Sequence, residues 1–196
     1  MDQLTDWLSL TVRWLHVIFG VAWIGTSFYF NWLNNSFRPV EAGPVDAGVE
    51  GEVWSVHGGK FYRVLKYGVA PAQLPKVLHW FKWEAYLTWI SGFTLLALVY
   101  YVDSKVFLID KQVRILEPWH AIGIGIGTLI VSWFVYDLLC KSPLKRKPVA
   151  FVIIAFALAT AMAYGLTQVF GSRGAYIHVG AALGTMMAAN VFRVII

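Results

Sequence analysis

Five histidines carry most of the chemistry available to this chain: His16, His57, His79, His120 and His178. Imidazole titrates near neutrality, accepts protons and binds metals. Inside apolar runs such groups are rare, and they default to functional candidates. On a helix, His16 shares its face with Arg13 at i−3 and Gly20 at i+4. His178 has Gly174 at i−4 and Ala181 and Ala182 at i+3 and i+4. Small residues beside an imidazole leave a flat notch in which a planar macrocycle can approach the backbone. Arg13 and Arg173 are placed to pair with carboxylates of such a macrocycle. Two neutral imidazoles on facing helices would then ligate one haem iron, as in a b-type haem. The plainer reading gives each histidine an interhelical hydrogen bond, with the glycines serving packing alone. His120 follows Trp119 and reads as interfacial, with a further metal or haem as the alternative.

A second group combines imidazoles, ammonium groups, aromatic faces and one carboxylate. It comprises His57-Gly58-Gly59-Lys60-Phe61-Tyr62 and His79-Trp80-Phe81-Lys82-Trp83-Glu84. Aromatic stacking with cations and amide donors suits a flat anionic heterocycle. On a helix, His79 would share a face with Trp83, and Lys82 with Tyr86. For most of these aromatics a membrane-interface belt with snorkelling lysines is the simpler reading. The glycine pair serves either a turn or a close ligand approach.

The elements that position these groups follow from composition. Hydrophobic residues make up 58% and charged residues 14% of 196 residues. A soluble domain carries roughly 25% charged residues, so this chain reads as a membrane protein. Its net charge of +5 sits in loops between apolar runs and does not argue for nucleic acid. A spanning helix needs about 20 mostly apolar residues, and five runs qualify: 7–33, 79–102, 119–139, 149–170 and 175–196. Lipid cannot satisfy free backbone groups, and the runs lack strict alternation, so all five are expected to be helices. The fold class is an all-α polytopic membrane protein, read as one transmembrane domain over 1–196.

Lys141, Lys145, Arg146 and Lys147 share a short loop without an acid, which marks the cytoplasmic side. Segment 34–78 then lies inside, and the acidic N-terminus and loops 103–118 and 171–174 lie outside. Segment 52–69 is expected to be a hairpin around Gly58-Gly59 or an interfacial helix. Segment 105–116 is expected to form a small hairpin. Asp137 should pair with a cation near the basic loop. The N-terminus has no basic n-region, so the first span is expected to be retained. Cys140 is the only cysteine, which excludes an internal disulfide, and no C-x-x-C-H occurs, which excludes covalent haem c. The sequence contains no P-loop, nucleophile elbow or zinc-protease spacing. Gly123, Gly125 and Gly127 lie within an apolar span and read as helix packing.

The stretch Trp14-Leu15-His16-Val17-Ile18-Phe19-Gly20-Val21-Ala22-Trp23-Ile24-Gly25-Thr26 resembles the first span of membrane-integrated, cytochrome-c-linked bacterial urate oxidases of the PuuD type. Trp54-Ser55-Val56-His57-Gly58-Gly59-Lys60-Phe61-Tyr62, His79-Trp80-Phe81-Lys82-Trp83-Glu84-Ala85-Tyr86 and Tyr136-Asp137-Leu138-Leu139-Cys140-Lys141-Ser142-Pro143 are similar to that family too. So are Tyr164-Gly165-Leu166-Thr167-Gln168-Val169-Phe170 and Ile177-His178-Val179-Gly180. The first span resembles, more faintly, haem-binding protoporphyrinogen oxidases and copper-handling membrane proteins.

The main resemblance implies oxidation of urate to 5-hydroxyisourate at a bacterial inner membrane, with electrons passed to a c-type cytochrome. His57 or Glu84 would accept a proton, and Lys60 and Lys82 would hold negative charge. Tyr62, His79 and Trp83 would complete the substrate site. Electrons would cross through haem b on His16 and His178, with Arg13, Arg173 and Gly20 beside it. Family members usually have further spans and a fused cytochrome c domain. Haem c is therefore expected on a further domain or a partner. Rival readings are a dehydrogenase of another flat heterocycle, a copper or transport subunit, and a membrane anchor. Nothing in the sequence sets an oligomeric state.

Overall fold

A computed structural model describes residues 3–41, 43 and 46–195. Helix α1 (Gln3–Ser36) is followed by strands β1 (Val49–His57) and β2 (Lys60–Tyr67). Helix α2 (Trp83–Leu95) continues as a π-helical stretch, Leu96–Tyr101, and then comes the short α3 (Ser104–Phe107). Helices α4 (Pro118–Lys141), α5 (Pro148–Thr167) and α6 (Ser172–Ile195) complete the described chain.

Among the described residues, α1, α4, α5 and α6 are each long and apolar enough to cross a membrane. These match the first, third, fourth and fifth expected spans. Their exposed surfaces are rich in Leu, Ile, Val and Phe, as lipid contact requires. The second expected span is shorter than read. It starts at Trp83, and its first helical bond runs from the Tyr86 amide to the Lys82 carbonyl. His79 precedes the helix, so it does not share a helical face with Trp83. Phe81 accounts for the late start. Its ring packs edge-on against Phe30 of α1 at 4.8 Å and against His79 at 4.4 Å.

The chain divides into two compact units. One contains residues 21–81, that is, the later part of α1 and the hairpin. Leu33 and Val53 are buried there. β1 and β2 pair antiparallel, with His57 opposite Lys60, Ser55 opposite Tyr62, and Trp54 opposite Arg63. Gly58 and Gly59 form the two-residue turn with φ of 58° and 72°. Positive φ at both positions matches strand twist and favours glycine. The hairpin is tied to the segment after α1 by two backbone bonds. The Arg38 amide donates to Glu52 O at 3.0 Å, and the Glu52 amide to Arg38 O at 2.8 Å. Gly51 makes room for that segment, since a Cβ there would stand 2.8 Å from Arg38 O.

The other unit contains residues 3–20 and 82–195. Its core gathers Leu108, Ala121, Leu166, Phe170 and Ala175, with Leu96, Leu129 and Ala182 nearby in the same unit. α6 touches α2, α4 and α5. Asp137 pairs with Lys141 at 2.8 Å and with Arg193. The pairing with a cation of the basic loop matches the sequence reading, and Arg193 adds a link to α6.

The expected hairpin at 105–116 is corrected. The amides of Val106 and Phe107 bond to Asp103 O, and that of Arg114 bonds to Asp110 O. The Gln112 amide donates to Asp110 Oδ1 at 2.9 Å. These local acceptors capture the donors that a strand pair would need, while Leu108 anchors the segment in the core at 1% exposure.

Candidate active site

His57, Lys60 and Tyr62 come together on one face of the hairpin. Directly opposite residues of an antiparallel pair share a face, so His57, Lys60, Ser55 and Tyr62 line one side near the turn. Trp54, Val56 and Phe61, with exposures of 59%, 65% and 76%, line the other together with Arg63. The tip thus carries His57 and Lys60 on one side and three exposed hydrophobic side chains on the other. The turn itself explains both glycines, so they give no separate sign of a ligand.

Glu52 lies further down the hairpin and is buried. Burial acts to raise its carboxyl, but the Arg63 guanidinium, 2.6 Å away, and the Glu41 amide prevail. The carboxyl is held below its ordinary value of 4.5. Tyr67 is held above 10.0 by its hydrogen bond to Asp46, with burial adding to the effect. These contacts make the base of the hairpin a fixed platform for its tip.

His79 is exposed in the same unit, with its ring against Phe81. Lys82, Trp83 and Glu84 belong to the other unit, at the start of α2. Lys82 is the N-cap residue, without a side-chain cap, and its Nζ lies 5.8 Å from the Trp83 ring centre. Glu84 stands in the first turn with Oε2 shielded from solvent. The seven residues expected at one substrate site therefore fall into two sets.

His16 lies against α2. Its Nδ1 is 3.1 Å from Thr88 O and 3.1 Å from Ser91 Oγ. Gly92 admits the ring, because a Cβ there would stand 2.9 Å from Cε1. His178 is fully buried, and its Nδ1 donates to Gly174 O at 2.8 Å. Its Nε2 is 3.1 Å from the Tyr101 hydroxyl, which donates to it. Gly125 admits that ring, since a Cβ there would stand 2.5 Å from Nε2. Gly92, Gly125, Tyr101, Thr88 and Ser91 were not singled out as partners in the sequence. Gly20, expected to make the notch for His16, instead faces Thr88 at ordinary contact distance.

Both histidines place Nδ1 on a backbone carbonyl. That tautomer leaves Nε2 as the lone-pair nitrogen, as in metal-ligating histidines. A single haem iron needs both ligating nitrogens within bonding distance on its two sides. Tyr101 bonds the His178 lone pair, and His16 is the residue of the two that suits an axial ligand.

Arg13 is exposed and bonds Ser9, and Arg173 lies over the Phe107 ring. His120 is exposed with its ring against Trp119, as an interfacial residue would be. Among the described residues, no group of three His, Cys, Asp or Glu is placed to hold a metal ion. A cavity of about 730 Å³ between α4, α5 and α6 is lined by residues such as Ile124, Val131, Met162 and Leu183. None of the candidate residues lines it.

The model of the urate oxidase N-terminal family matches residues 2–196. The chain belongs to that family. No curated protein and no solved structure matches it. Membership suggests a urate-related function and an oxidoreductase, and the apolar helices are compatible with a multi-pass membrane protein.

Proposed function

We propose that the chain is the membrane part of a bacterial inner-membrane enzyme that oxidises urate to 5-hydroxyisourate and passes electrons to a c-type cytochrome. The family match over residues 2–196 carries the urate part of this reading. In the reaction urate takes up the elements of water and releases two protons and two electrons. The substrate is planar and anionic. The His57 side of the hairpin offers the matching chemistry: an imidazole, an ammonium group, a hydroxyl and an aromatic ring on one face.

His57 accepts a proton from urate or from the attacking water, a role that suits imidazole near neutrality. Lys60, directly across the turn, balances the anion. Tyr62 supplies a ring face and a hydroxyl. Glu84, at the start of α2 in the other unit, is the alternative acceptor, with Lys82 and Trp83 as its neighbours in sequence. When bound, a b-type haem would supply the one-electron steps that join urate to a cytochrome, and His16 is the residue that would hold it. His178 keeps Tyr101 and Gly174 as its partners.

The test uses the full chain in lipid nanodiscs with a c-type cytochrome. Urate should drive cytochrome reduction, two cytochromes per urate consumed. His57→Gln should slow this by about 100-fold at neutral pH, the lower end for loss of a general base. Absence of urate-dependent reduction in the unmodified chain would overturn the proposal.

A further inference from the structure

We propose that the Tyr86 hydroxyl is a substrate-binding donor at the N-terminal end of α2, directed at a carbonyl oxygen of a planar anionic heterocycle. The inference rests on the reading of the chain as a urate oxidoreductase and assigns a residue to the alternative set at the start of α2.

Tyr86 is 8% exposed. Its hydroxyl oxygen is buried and has no hydrogen-bond partner among the described residues. Buried tyrosines usually place that group on a partner, and an unmade bond there is costly. The ring is well held. It stacks on Phe192 of α6 with centroids 4.0 Å apart and planes at 10°. Trp83 meets it edge-on at 5.9 Å. A long helical side chain leans toward its own N-terminus, and the Trp83 contact agrees with that direction for Tyr86. The hydroxyl is therefore directed along the first turn of α2.

That turn offers an anion what it needs. The N-cap residue Lys82 makes no side-chain cap bond, and the first amides of α2 form the positive end of the helix dipole. Lys82 adds a cation at the N-cap position. Trp83 adds a ring face that is 59% exposed. A urate anion placed there meets amide donors, a cation, a stacking face and one fixed hydroxyl. The hydroxyl would read the heterocycle's oxygen, while the amides and Lys82 answer its charge.

Tyr86→Phe removes only the hydroxyl and keeps the stack on Phe192. Binding of radiolabelled urate to the full chain in nanodiscs is measured by equilibrium dialysis, alongside thermal unfolding. The expected result is about tenfold weaker urate binding, the loss of one hydrogen bond, with the unfolding temperature unchanged or raised. Unchanged affinity in Tyr86→Phe would overturn the assignment. Weaker binding together with a lower unfolding temperature would also overturn it, by making the hydroxyl structural. If the unmodified chain binds no urate, the urate reading itself fails and the assignment goes with it.

Discussion

The hydroxyl of Tyr101 and the imidazole of His178 form a closed pair: Nε2 accepts from the hydroxyl at 3.1 Å while Nδ1 donates to Gly174 O at 2.8 Å. Both ring nitrogens of a fully buried histidine are thereby satisfied. The pair connects the π-helical end of the second span to α6, and it does so against Gly125 of α4.

Removing the hydroxyl should expose the cost of that arrangement. Tyr101→Phe leaves Nε2 buried without a donor, and about 1–3 kcal/mol of stability should be lost. Thermal unfolding in nanodiscs measures it. An unfolding temperature equal to that of the unmodified chain would show that the pair does not hold the helices together.

Gly125→Ala should be harmful where Gly123→Ala is not. A Cβ at 125 would stand 2.5 Å from His178 Nε2 and 3.0 Å from the Tyr101 hydroxyl, whereas 123 has open space. Overpacking of this kind costs about 1–3 kcal/mol. Alanine at 123 should be neutral or stabilising, because glycine is the poorer helix former. Equal melting shifts for the two variants would contradict the packing described.

The hairpin should weaken in acid. The Glu52 carboxyl is held below 4.5, so its stabilisation is fully present above that pH. It is lost as pH falls through the lowered value, when the carboxyl gains its proton. Glu52→Gln should lower hairpin stability at neutral pH and remove this acid dependence. Hydrogen exchange of the 49–67 amides, followed against pH, checks both points. An unchanged acid profile in Glu52→Gln would place the dependence elsewhere.

The spans were legible because about 20 apolar residues in a row have few other uses. The hairpin was legible as one of two alternatives, since Gly58-Gly59 between alternating residues suits a two-residue turn. The start of α2 was not legible, because Phe81 is drawn to Phe30 by a tertiary contact. Segment 105–116 misled because Val106, Val113 and Ile115 favour strands, while Asp103 and Asp110 supply the local turns that prevailed. At the histidines, glycine was the right signal read in the wrong place. His16 and His178 rest on Gly92 and Gly125 of other helices, 76 and 53 positions away in sequence. Such pairing depends on helix packing, which local spacing does not encode. Tyr86 stood in a recognisable stretch, yet its unpartnered hydroxyl emerged only once its surroundings were known.

The most direct measurement is a reduced-minus-oxidised absorbance spectrum of the purified full chain, made with ample haem, using urate first and dithionite second. A b-type band that appears on adding urate is the expected result, and it should be absent from His16→Ala while that variant keeps its helical content. A band that appears only with dithionite, or no band with either reductant, would contradict urate-driven electron entry into this membrane protein.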